Sequence, residues 1–224
     1  MSHWLRAAWA HPSAVLLVAQ LLGVLLYPFM AESVAGRSLL SLFALVVLVL
    51  AVRAVRATPA WTWVALLVGL PVFVLTLLEA FQPENRTILL WSSVLHAAFY
   101  FYTSYGLIRY MFKDRLVTPD ELFATGATFT VVAWAFAYVF VAVQVVWPGS
   151  FTAAVDPSAE RSWMELLFLS FTTLTSTGLS DVVPILPHAR SLVMIEQVAG
   201  LMYVALVISR IVGLTLYRER QERA

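Results

Sequence analysis

Residues 171–184 read FTTLTSTGLSDVVP, and they crowd six hydroxyl side chains, one glycine and one carboxylate between two long apolar runs. Oxygens at this density can stand in for the water shell of a cation. The groups needed for covalent or acid–base chemistry do not converge in the same way. His3, His11, His96 and His188 are scattered, and no HExxH or GxSxG pattern or pair of intramembrane aspartates occurs. Ser176 and Ser180 have no evident base beside them. The chain has no cysteine, which excludes disulfides, thiolate metal sites and thiol redox chemistry. The reading is therefore not an enzyme, with no cofactor beyond an ion in transit.

The elements around this stretch are those of a membrane protein. Hydrophobic residues make up 61% of the 224 and charged residues 12%, about half the charge of a soluble domain; the mean hydropathy is +0.85. Six segments, at about 13–31, 38–56, 60–81, 87–110, 120–147 and 188–217, are long enough to span. Basic residues near the span ends favour cytoplasmic N- and C-termini in a plasma (inner) membrane. Arg6, Arg53, Arg56, Arg109, Lys113, Arg115, Arg218, Arg220 and Arg223 then lie inside, against Arg37, Arg86, Arg161 and Arg190 outside. The basic tail marks a helix end, not a nucleic-acid site. Thr118-Pro119-Asp120-Glu121 reads as a capping box with proline at the first helical position. It divides the chain into a four-helix part with a short linker (1–117), a two-span unit (118–217) and a short tail (218–224).

Between the last two spans, residues 162–176 suit a helix of about four turns, too short to cross. Irregular backbone at membrane depth is tolerated only where protein buries it or where it lines water. A helix entering and an extended strand leaving would aim the helix's carbonyl end at the membrane centre and point successive carbonyls at a shared axis. One chain supplies one wall, so a ring of subunits, most simply four, is expected.

Ser176-Thr177-Gly178-Leu179-Ser180-Asp181 resembles the potassium-channel signature Thr-Val-Gly-Tyr-Gly-Asp, and Thr172–Thr175 resembles the threonine-rich pore-helix end before it. Glu196, Gly200, Tyr203 and Arg210-Ile211-Val212-Gly213 are similar to the acid, small hinge, aromatic and Arg-Leu-Val-Gly run of bacterial inner helices. The resemblance covers about 119–217; the first four spans match in number only. It implies an all-α, six-span, homotetrameric cation channel with a re-entrant pore helix and filter loop. It also implies an ion-binding filter of Ser176, Thr177, Gly178, Leu179 and Ser180, with K+ at the first four, and lipids and monovalent cations as partners. Thr175 supports the filter, and Asp181 sits at the outer mouth or, alternatively, is a turn acid before Pro184. Glu196 is a buried partner behind the filter or an ion contact, and Gly200 a hinge or a packing residue. Arg210 snorkels at the cytoplasmic end.

Two departures bear on selectivity. Leu179 stands where the family has tyrosine, with Phe168 and Leu169 expected to form an apolar cuff around it. Ser180 replaces a glycine that takes positive φ, so either strain is accepted or the outer filter changes shape. Potassium conduction is the first reading. A weakly selective monovalent cation pore and a non-conducting channel-like receptor or assembly protein are the alternatives. The fourth span, 87–108, holds no Arg or Lys, so it is no arginine voltage sensor, and His96 within it is read as a packing histidine.

Overall fold

A computed structural model describes residues 11–30, 34–113 and 118–222, and within the last helix the side chains only as far as Arg210, together with Val212. The chain is all-helical apart from one two-stranded ribbon. In order the elements are α1 (Pro12–Met30), α2 (Val34–Arg56), α3 (Thr62–Phe81), α4 (Arg86–Met111), α5 (Pro119–Val146), β1 (Phe151–Thr152), α6 (Trp163–Leu174), β2 (Val183–Pro184) and α7 (Pro187–Glu222). Strands β1 and β2 pair antiparallel, Phe151 opposite Pro184.

Among the described residues, five helices are long and apolar enough to cross a membrane: α1, the Leu39–Arg56 part of α2, α3, α5 and the Pro187–Arg210 part of α7. The sixth expected span, α4, has the length, 26 residues, or about 39 Å at 1.5 Å per residue. It is too polar to count by composition. Its polar side chains satisfy themselves along the helix: Ser93, Thr103 and Ser104 each donate to the carbonyl four residues back, at 2.7–2.9 Å. Those residues are buried against neighbouring helices.

The most extensive helix pairing joins α4 to α5, so the four-helix half packs on the two-span unit of the same chain. The linker expected from residue 109 starts later, because α4 continues to Met111; residues 114–117 lie outside the described set. The capping box forms as the sequence predicts, with Glu121 N–H donating to Thr118 Oγ1 at 3.2 Å and Thr118 N–H to Glu121 Oε2 at 3.3 Å. Asp120 beside it accepts from Ser13 N and Oγ at 3.2 and 3.0 Å, which caps α1 against the start of α5.

Candidate filter site

A second capping box, not singled out in the sequence, begins α6: Glu165 N–H donates to Ser162 Oγ at 3.3 Å and Ser162 N–H to Glu165 Oε2 at 2.7 Å. Its signal, Ser-x-x-Glu ahead of an apolar run, matches the one at Thr118. Arg161, just before it, is a further residue missed. Its guanidinium, 3% exposed, donates to the carbonyls of Val155, Asp156 and Ala159 and to Glu165 Oε1 at 3.1 Å. Its backbone is held by both ends of the Gln144 amide, at 2.8 and 3.0 Å. The entry to the short helix is thus fixed from α5.

The helix is shorter than the sequence suggested. It runs for 12 residues and stops at Leu174, with Thr175 as C-cap. Ser176 then takes φ +58°. Ser176 N–H donates to Thr173 O and Thr177 N–H to Thr172 O, both at 3.0 Å. That is the paired bonding of a Schellman motif, whose position after the cap needs a left-handed residue. Serine there costs about 1 kcal/mol or more relative to glycine, and the two bonds offset it. Gly178 follows with φ +67°, and its N–H also donates to Thr172 O, at 3.1 Å.

This arrangement splits the polarity of the backbone. The N–H groups of Thr175, Ser176, Thr177 and Gly178 all turn back onto carbonyls of Phe171, Thr172 and Thr173. Among the described residues, no donor reaches a main-chain carbonyl of residues 175–181. Two hydroxyls join the same ridge, Thr175 Oγ1 and Thr177 Oγ1 lying 3.0 Å apart. The carbonyls of Phe171, Thr172 and Thr173 near the helix end are occupied by these bonds. The oxygens left for a cation are those of the loop.

The outer part differs from both resemblance and expectation. Ser180 does not take positive φ; its Oγ accepts from Val182 N at 3.1 Å, a local turn that draws it off the filter glycine's conformation. The apolar cuff does not form around Leu179 within the chain. Leu179 is 78% exposed and Phe168 46%, while Leu169 packs in a cluster with Val182, Leu166 and Val193. Val182, fully buried, is the loop residue that packs into that cluster within the chain. Asp181 is exposed next to β2.

Behind the loop, Glu196 of α7 is fully buried and hydrogen-bonds to the Ser170 hydroxyl on α6. Ser170 Oγ also lies 2.8 Å from Ala133 O on α5. One serine, which the sequence reading passed over, thereby joins three helices. Gly200 stands where α7 crosses the end of α6: a Cβ there would meet Leu174 O at 2.1 Å. α7 continues unbroken through it. Tyr203 OH donates to Thr125 O at 2.6 Å. Arg210 pairs with Glu121, Nη2 to Oε2 at 3.8 Å, and lies over the Phe112 ring at 5.0 Å, so it is a paired residue and does not snorkel. The side chains of Ile211 and Gly213 lie outside the described residues.

Residues 126–216 match the family model for ion channels. No curated protein and no solved structure showed significant similarity to the chain. The matched stretch runs from α5 to α7 and takes in the loop, Ser170, Glu196 and Gly200. It supports an ion channel, and with the apolar helices it supports an integral membrane protein.

In the other half, His96 is 4% exposed. Its Nδ1 lies 2.8 Å from Ser92 O and its Nε2 3.3 Å from Thr76 Oγ1, with the ring stacked on Tyr138 at 4.3 Å. It is held on both nitrogens between α3, α4 and α5.

Proposed function

We propose that the chain forms a homotetrameric pore that conducts potassium ions passively across the plasma (inner) membrane, with both termini cytoplasmic. The observation that carries this reading is the split backbone of the loop. With N–H groups 175–178 turned onto the short helix, successive carbonyls and the Thr175 and Thr177 hydroxyls are left to replace an ion's hydration. K+ is the substrate, met by Ser176, Thr177, Gly178 and Leu179, with Thr175 in support and Asp181 concentrating cations at the mouth.

A single chain leaves this ridge open. Leu179 and, on α7, Met194, Ile195, Val198, Leu201 and Met202 are exposed in the isolated chain. Copies of the same chain around a shared axis would cover that face and close the ring, with lipid on the remaining apolar surface. Ser180, off the left-handed conformation, makes the outermost ion site the altered one. The inner sites are built on Ser176 and Gly178. Gating proceeds without an arginine sensor, since α4 carries no Arg or Lys from Thr87 to Ile108.

The test is the bi-ionic reversal potential of the purified protein in planar bilayers, potassium against sodium. A reversal displaced strongly toward the potassium equilibrium value is expected. A reversal near zero with clear current makes it a weakly selective cation pore. Absence of current at every voltage leaves the non-conducting receptor or assembly role.

A further inference from the structure

A half-open cavity of about 420 Å³ lies between the ends of α1 and α3, the start of α2, and helices α5 and α6. Its volume falls in the range of small-molecule sites, roughly 300–1,000 Å³. Five aromatic rings line it: Tyr27, Phe43, Trp134, Tyr138 and Trp163. They are a connected set, with Trp163 5.2 Å from Trp134, 5.8 Å from Tyr138 and 6.0 Å from Tyr27 between ring centroids. Among the described residues, Glu79 is the one charged side chain that lines it. Its Oε2 accepts from Ser92 Oγ at 2.7 Å, and its other oxygen has no partner among the described residues.

A second, independent observation concerns the donors. The indole N–H groups of Trp134 and Trp163 are both buried without an acceptor. Both rings line the cavity, and a buried donor left without an acceptor is costly, which favours an occupant that can bring an oxygen beside it. An anionic ligand would meet Glu79 with no basic lining residue among the described residues to offset it. A lipid tail would leave the carboxylate and both indoles unsatisfied. A positive nitrogen suits ring faces next to one carboxylate, and an oxygen on the same molecule satisfies an indole.

We propose that this cavity binds a small organic ammonium compound that also carries a hydroxyl or carbonyl oxygen. The ammonium lies against Glu79 within the aromatic wall, and the oxygen accepts from Trp134 or Trp163. Trp163 is the first residue of α6, so the occupant lies against the start of the short helix that holds the filter loop. The proposal does not depend on which ion the pore conducts.

Equilibrium dialysis of radiolabelled choline against the purified full chain in detergent tests it without any current. Saturable binding at one site per chain is expected. Glu79→Gln should weaken it at least tenfold, and Asp181→Asn should leave it unchanged. Choline's uncharged tert-butyl isostere should fail to compete; that measurement uses the unaltered protein and stands even if a variant does not fold. Absence of saturable binding overturns the proposal, as does equal competition by the isostere. Loss of binding in Asp181→Asn with Glu79→Gln unaffected overturns it too, by assigning choline to the pore mouth.

Discussion

The two halves of the chain treat polar groups inside a membrane-spanning bundle differently. In the four-helix half, α4 keeps three buried hydroxyls to itself, Ser93, Thr103 and Ser104 bonding to carbonyls of their own helix, while Ser92 and His96 reach α3. In the two-span half, polar groups bond across helices. Glu196 reaches Ser170, Ser170 lies against Ala133 O, Tyr203 reaches Thr125 O, and Gln144 holds Arg161. Local bonds survive when helices slide; cross-helix bonds fix their spacing. The short helix and its loop are therefore tied to α5 and α7 by cross-helix bonds, while α4 has such ties to α3 at Ser92 and His96 and none at Ser93, Thr103 and Ser104.

The sharpest way to break this contrast is at Gly200. Its Cβ would press on the backbone of Leu174, which has no flexible end to yield. Gly200→Ala should separate α7 from α6, cost about 1–3 kcal/mol or more, and abolish current in bilayers. Arg161→Ala comes next: the carbonyls of Val155, Asp156 and Ala159 lose their common donor, and Glu165 loses its cation. A cost of about 3 kcal/mol is expected, read as a lower unfolding temperature and as new proteolytic cleavage within residues 147–162. If cleavage there is unchanged, the clamp is not what orders that segment.

At Glu196 the contrast can be graded. Glu196→Gln preserves shape, and its amide can donate to Ser170 Oγ while the hydroxyl serves Ala133 O; stability should change by less than about 1 kcal/mol. Glu196→Ala should cost about 2–4 kcal/mol, from the cavity and the lost partner. Equal losses would mean that the charge, not the bonding, matters. A paired test addresses the loop. Ser176→Gly should gain up to about 1 kcal/mol because the position is left-handed. Ser180→Gly should gain nothing and instead lose the turn to Val182. The reverse order would place the strain at Ser180 after all. Smallest of all is Ser104→Ala on α4, expected within about 0.5 kcal/mol; a large loss there would show that α4 too depends on its hydroxyls.

Much of this was legible one residue at a time. The Thr118 cap, the lengths of the apolar runs and the absence of arginine from α4 follow from local rules, and local rules are written in consecutive residues. The Ser162 cap was equally legible and was missed only because the helix start was already placed there. What escaped depended on distant partners. Ser170 gives no sign in sequence that Glu196, 26 residues on, will meet its hydroxyl. Arg161 reads as an ordinary basic residue until the loop folds over it. Glu79 acquires its aromatic surroundings from three helices and the start of a fourth.

The sequence by itself determined the class of the protein, the position of the polar re-entrant stretch, the helix starts and the missing sensor charges, because composition, caps and periodicity act over a few residues. Only the tertiary structure decided that the left-handed position is Ser176 and not Ser180, that Val182 and not Leu179 turns inward, and that Gly200 is pressed against Leu174. Each of those depends on where a helix ends relative to another helix. A hydrogen-bond closure such as the Schellman end of α6 shifts every later residue by a fixed turn, and nothing in the local residue types announces it.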